Sequence, residues 1–121
     1  MGHSVLLIED EPNIIEAISF ILSRDGWTVH SHSNGADASN EVIRRQPDVV
    51  VLDVMLPGKT GFEVLQEIRE NTETANIPVL MLTARGQNKD REKAESYGAN
   101  MYMTKPFSNS EVLEKVKTLV A

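Results

Sequence analysis

Glu9, Asp10 and Glu11 stand together directly after a short apolar run, and Asp53 directly follows another. Thr83 closes a third such run, and Lys105 lies just beyond a fourth. Carboxylates gathered in one place repel: two unit charges about 4 Å apart cost roughly 4 kcal/mol at an effective dielectric of 20. Such a cluster needs a cation. Lys105 supplies one charge, and hard oxygen donors in this number suit Mg²⁺, which takes one or two carboxylates together with waters and phosphate oxygens. The metal would neutralise an incoming phosphate, and an aspartate carboxylate is a known type of covalent phosphoryl acceptor. These residues therefore spell metal-assisted phosphoryl transfer onto Asp53, with Lys105 and Thr83 against the phosphoryl oxygens.

That chemistry requires four separate segments to meet. Val5-Leu6-Leu7-Ile8 is wholly apolar and rich in branched residues, as a strand buried on both faces should be. Pro12 then opens a helix with Ile14, Ile15, Ile18, Ile21 and Leu22 at helical spacing, stopped by Asp25-Gly26. Trp27 to His32 reads as a weaker, partly exposed strand, and Asn34 as the N-cap of a helix reaching about Arg45. Asp48 to Asp53 is the clearest strand. A loop with Pro57, Gly58 and Gly61 follows, then a helix with Phe62, Leu65 and Ile68 on one face. Ile77 to Leu82 and Met101 to Met103 supply two more strands, separated by a polar helix from Gln87 to Tyr97 that has only Ala94 and Tyr97 as apolar anchors. Ser108 and Glu111 fit a capping box at the head of a last helix that buries Val112, Leu113, Val116, Leu119 and Val120. Met81, Met101 and Met103 read as core.

Five strand–helix repeats predict an α/β doubly wound fold, a parallel sheet with helices on both faces and right-handed crossovers. Ligands in such sheets bind beyond the carboxyl ends of the strands, where the strand order reverses. All the candidate residues fall on that edge.

The remaining composition narrows the field. The chain has 121 residues, the size of a single domain spanning 1–121, with residues 1–4 read as a tail or cloning remnant. With no cysteine it offers no disulfide, thiol nucleophile or Cys-ligated zinc. Twelve Lys and Arg against 18 Asp and Glu leave a net charge of −6, which argues against direct nucleic-acid binding. No apolar run is long enough for a signal peptide or a membrane span, so the expected setting is the cytoplasm.

Four segments now carry a resemblance: Leu7-Ile8-Glu9-Asp10-Glu11-Pro12, Val51 to Gly58, Leu82-Thr83-Ala84, and Tyr102-Met103-Thr104-Lys105-Pro106-Phe107. In order and spacing, from Val5 to Val120, they are similar to the response-regulator receiver domain of bacterial two-component phosphorelay signalling, the CheY-like superfamily. The resemblance implies a flavodoxin-like (βα)5 fold with strand order 2-1-3-4-5. Asp53 would be the phosphoacceptor, served by a sensor histidine kinase or a phosphotransfer protein. Asp10 would ligate Mg²⁺ (or Mn²⁺ in vitro) directly, Glu9 mainly through water, and Asp53 and the backbone carbonyl of Met55 would complete the protein's share. Thr83, Ala84 and Lys105 would contact the phosphoryl group, Thr83 and Tyr102 would form a switch pair, and Lys105-Pro106 would be a cis peptide. The face made by the fourth helix, fifth strand and fifth helix would control a partner or a missing effector domain. The protein would be a regulatory phosphoacceptor rather than an enzyme, with only self-phosphorylation and slow self-dephosphorylation, and either a monomer or a weak phosphorylation-dependent dimer.

Two departures stand out. Position 9 is Glu where many members have Asp, which keeps an acid. Asn100-Met101 stand where winged-helix regulators usually carry two acids of a salt-bridged dimer face, so that dimer is in doubt here. Other classes fit less well. A haloacid-dehalogenase-type phosphohydrolase needs a second Asp where Met55 stands, and a flavodoxin needs a Ser/Thr-rich phosphate loop where Glu9 to Glu11 stand. Gly58-Lys59-Thr60 lacks the first glycine of a P-loop, and His30 and His32 have no third ligand in view.

Overall fold

The computed structural model describes residues 2–84 and 88–121. Among the described residues ten elements alternate: β1 (Ser4–Ile8), α1 (Pro12–Arg24), β2 (Thr28–His32), α2 (Ala38–Arg45), β3 (Val49–Asp53), α3 (Gly61–Glu70), β4 (Val79–Thr83), α4 (Asn88–Ser96), β5 (Met101–Thr104) and α5 (Asn109–Val120). The strands form one parallel sheet in the order β2-β1-β3-β4-β5, the expected flavodoxin-like arrangement. The order reverses between β1 and β3. Among the described residues no helix is long and apolar enough to cross a membrane.

Strand periodicity sorts the core into two layers. Val5, Leu7, Val49, Val51, Leu80 and Leu82 pack against α1 and α5 through Ile18, Leu22, Val112 and Val116. Their neighbours Leu6, Ile8, Val50, Leu52, Val79 and Met81 pack against α2, α3 and α4 through Val42, Phe62, Leu65, Ile68 and Ala94. Sandwiched strands must be apolar on both faces, which is why β1, β3 and β4 read as continuous apolar runs. Met103 joins the α1–α5 layer, whereas Met101 is only half-buried. Trp27 closes the same layer at the start of β2. Its indole N–H reaches Asp25 Oδ2 at 3.3 Å, and its ring lies 5.4 Å from that of His3.

Several boundaries differ from the sequence reading. β1 begins at Ser4, because the Asp48 carboxylate accepts the Ser4 backbone N–H at 2.7 Å. His3 also takes part, its carbonyl accepting the Thr28 N–H. Asn34 does not cap α2: its Oδ1 accepts from Ala36 N–H at 2.7 Å and closes a local turn, and the cap position falls to Asp37. Asp37 in turn spends its carboxylate on His32 Nε2 at 2.6 Å, which draws its pKa below the usual range. Gln87, the expected start of the fourth helix, lies outside the described residues. At α5 the Ser108 hydroxyl accepts from Glu111 N–H, but a reciprocal capping box occurs at α3 instead, between Thr60 and Glu63.

The loop after β3 is held by close packing at Gly61. A Cβ there would come within 2.2 Å of the Asp53 carbonyl oxygen, which is backbone and cannot swing aside. Gly61→Ala is therefore expected to destabilise the protein by about 1–3 kcal/mol, the usual penalty for overpacking. Urea unfolding measures this, and an unchanged midpoint would contradict it.

Candidate functional site

The carboxyl ends of β1 and β3 lie side by side at the reversal point, with Ile8 registered against Leu52. The next residues, Glu9 and Asp53, are therefore neighbours by topology alone. Glu9 is completely buried and Asp53 nearly so. Glu9 Oε2 is anchored by the turn after β1, accepting the N–H groups of Asp10 and Glu11 at 3.0 Å each. This leaves Glu9 Oε1 aimed into the site, buried and without a hydrogen bond. Asp10, exposed, joins the pair: one carboxylate oxygen from each of Glu9, Asp10 and Asp53 lies within 4.8 Å of the others.

Lys105 reaches in from the segment after β5. Its backbone N–H donates to the Thr83 carbonyl at 2.8 Å, and the Lys105–Pro106 peptide is cis. The ammonium meets three carboxylates: Glu11 Oε1 at 2.9 Å, Glu9 Oε1 at 3.0 Å and Asp53 Oδ1 at 3.3 Å. Burial pushes the Asp53 carboxyl up to about 7, reinforced by the charge of Glu9 and opposed by Lys105. Burial also acts against the Lys105 ammonium, but its contacts with Glu11 and Glu9 and the charge of Asp53 outweigh that and hold it above its usual range. The net result is a site with more negative charge than one lysine neutralises.

Its chemistry is that of a hard-cation site next to an anion acceptor. A buried carboxylate oxygen that is ion-paired to Lys105 and flanked by two further acids fits a divalent cation of the Mg²⁺ type, with Glu9, Asp10 and Asp53 as its donors. Thr83 ends β4 on the same edge and is buried, while Ala84 beyond it is exposed. Met55 follows Asp53 by two residues in the β3–α3 loop, with its side chain 71% exposed. Tyr102 sits in β5, half-buried beneath the Arg91 guanidinium of α4, which lies 4.6 Å from the ring centre.

Two sets of contacts lacked a clear signal in the sequence. Glu11 shares Lys105 with the inner acids; the available hint was a Glu at a helix N-cap position that favours shorter side chains. Arg69 had no hint at all. It donates to the carbonyls of Gly98, Ala75 and Ile77 and to Asn100 Oδ1, at 2.7–3.0 Å. Asn100, one of the two departures noted above, has Oδ1 turned inward, where it also accepts the Val79 N–H at 2.8 Å.

Known proteins share this fold. A family model described as "Response regulator receiver domain" matches residues 5–117. A candidate response regulator from Chloroflexus aurantiacus J-10-fl is 30% identical, with a TM-score of 0.95 over 99% of this chain and 98% of its own. The receiver domain of the sensor histidine kinase PA1611 from Pseudomonas aeruginosa PAO1 is 29% identical, with a TM-score of 0.90 over 99% and 98% of the two chains. It was solved with a magnesium ion coordinated in its active-site cleft. The chemotaxis response regulator CheY4 of Vibrio cholerae is 26% identical, with a TM-score of 0.91 over 98% and 99%. With a matching family model over nearly all of its length, the chain belongs to the response regulator receiver domains, the CheY-like regulatory modules of two-component signalling.

Proposed function

We propose that this domain is a phosphorylation-dependent switch whose acceptor is Asp53, charged by a sensor histidine kinase or a phosphotransfer protein. The observation that carries the reading is the meeting of Glu9, Asp10, Asp53 and Lys105 at the reversal point of the sheet. Asp10 and Asp53 would hold Mg²⁺ directly, with Glu9 through water and the Met55 carbonyl completing the set. The bound metal would offset charge on the phosphoryl oxygens as they approach. Lys105 would neutralise the same oxygens, and burial of Asp53 keeps competing water away from its carboxylate.

The output follows from where Thr83, Ala84 and Tyr102 sit. A phosphoryl group on Asp53 brings about −1.5 to −2 of charge and three acceptor oxygens. Thr83, at the end of the neighbouring strand, and the Ala84 backbone would bond them. A turn of Thr83 toward the phosphoryl group leaves room that Tyr102 fills, which requires the Arg91 stack to loosen. Among the described residues of α4 only one, the small Ala94, is fully buried, so this helix repacks at low cost, and the α4–β5–α5 face becomes the readout for a partner or effector domain. The role is regulatory rather than enzymatic.

Incubation with acetyl phosphate and Mg²⁺, followed by mass spectrometry, tests the assignment. One phosphoryl adduct is expected, on the peptide that contains Asp53, and chelation of the metal should suppress it. An adduct elsewhere, or one indifferent to chelation, would overturn the reading.

A further inference from the structure

An ammonium has three N–H donors, and Lys105 faces a carboxylate on each of three sides. A phosphoryl oxygen reaching Lys105 must therefore take the place of one of them. The three differ in what release costs. Glu9 is fully buried, and its Oε1 would lose the cation it is paired with without gaining water. Asp53 is 5% exposed at its side chain and is itself the acceptor. Glu11 is 58% exposed, so water can replace the lysine at once. Yet its contact is the shortest of the three and a hydrogen bond, at 2.9 Å.

The backbone around Glu11 adds a second observation. Glu11 occupies the N-cap of α1, where a side-chain oxygen normally accepts a free amide of the first helical turn. Here it makes no such bond. Its carboxylate is spent across the site instead, on a residue 94 positions away.

Resting on the reading of Asp53 as phosphoacceptor, we propose that Glu11 is a positioning residue: it tethers Lys105 in the unphosphorylated protein and is the partner released when the phosphoryl group arrives. With acetyl phosphate as donor, an Asp53 oxygen forms the new O–P bond while the P–O bond to the acetyl group breaks and acetate leaves with the electron pair. The tether exists before this step and is lost during it, so it stabilises the ground state only and slows acceptance.

Three full-length proteins test this: wild type, Glu11→Gln and Glu11→Asp. The Gln variant removes the charge. The Asp variant keeps it but is one methylene shorter and is a preferred N-cap, so its carboxylate turns back to the helix. Both variants are expected to take up phosphoryl from acetyl phosphate with Mg²⁺ about two- to fivefold faster than wild type, the range for a partly exposed ion pair. In the metal-free proteins, proton exchange of the Lys105 ammonium, followed by ¹⁵N NMR, should be faster in both, and Glu11→Asp should also unfold at a higher temperature. Unchanged or slower uptake in both variants overturns the tether. So does faster uptake in the Gln variant alone, which would reflect overall charge. An unlabelled wild type would count against the acceptor assignment instead, and the ammonium exchange would still decide the tether.

Discussion

Asp53→Asn is expected to take up no phosphoryl group from acetyl phosphate and, in metal-free buffer near pH 8, to be more stable than wild type. Loss of uptake follows from the chemistry: an amide oxygen is a poor nucleophile and would leave no stable acyl phosphate. The gain in stability follows from the electrostatics. Asp53 is held protonated up to about pH 7 by burial and by the charge of Glu9, although an unfolded Asp ionises near pH 4. A folded-state pKa raised in this way makes ionisation unfavourable to the folded protein. The penalty grows as pH rises from about 4 to 7 and is constant above that. An isosteric amide removes it, and we expect about 2 kcal/mol at pH 8, shrinking toward zero near pH 4. Thermal unfolding of both proteins in a chelating buffer checks this, and Mg²⁺ should narrow the gap by stabilising wild type more than the variant. Undiminished labelling of the variant would remove Asp53 from the mechanism. A variant no more stable than wild type at pH 8 would mean that Lys105 already neutralises the site.

Arg69→Ala should be the most damaging single change outside the two apolar layers. One guanidinium joins α3 to the α3–β4 loop through Ala75 and Ile77 and to the α4–β5 corner through Gly98 and Asn100. Burial lowers its pKa from the ordinary arginine value. Charge-assisted hydrogen bonds are roughly twice as strong as neutral ones, and truncation would also strand the carbonyls that Arg69 serves. The expected loss is about 3 kcal/mol, or roughly 10 °C in a domain of this size. Arg69→Lys should recover less than half, because an ammonium cannot span carbonyls on both sides of a planar fork. Urea and thermal unfolding measure both variants. A loss of less than about 1 kcal/mol for Arg69→Ala would show that water replaces the fork without penalty.

These residues also show where sequence reasoning is strong and where it stops. Glu9, Asp53 and Thr83 could be placed at one edge because the strands before them are apolar on both faces, and Lys105 because it follows the last strand of the same strand–helix alternation. A run such as Val49 to Leu52 has no other stable setting than a sandwiched parallel strand. Once the strands are aligned, the residues that end them must be neighbours. Long-range polar contacts carry no such pattern. Nothing in the periodicity of Gly61–Glu70 marks Arg69 as a clamp on Gly98, 29 residues away, since any arginine on a helix flank looks the same. Asn34 and Asp37 illustrate a local failure. Both are good cap residues three positions apart, but Asn34 spends its side chain on the Ala36 N–H, and Asp37, which takes the cap position, spends its carboxylate on His32 of β2. Glu11 combines the two cases: its position was legible, but its partner was not.

Trp27 is the only tryptophan, and it lies at the start of β2, in the layer shared with α1 and α5. Asp53 closes β3 at the other end of the sheet, five strand residues or about 16 Å farther along. The indole is nearly enclosed, its N–H taken by Asp25 and its ring beside His3, so its emission is governed by contacts that binding at the far edge does not touch. Intrinsic fluorescence will therefore follow unfolding faithfully while staying dark to the metal and the phosphoryl group. An optical titration of this receiver needs a dye or an indole placed elsewhere.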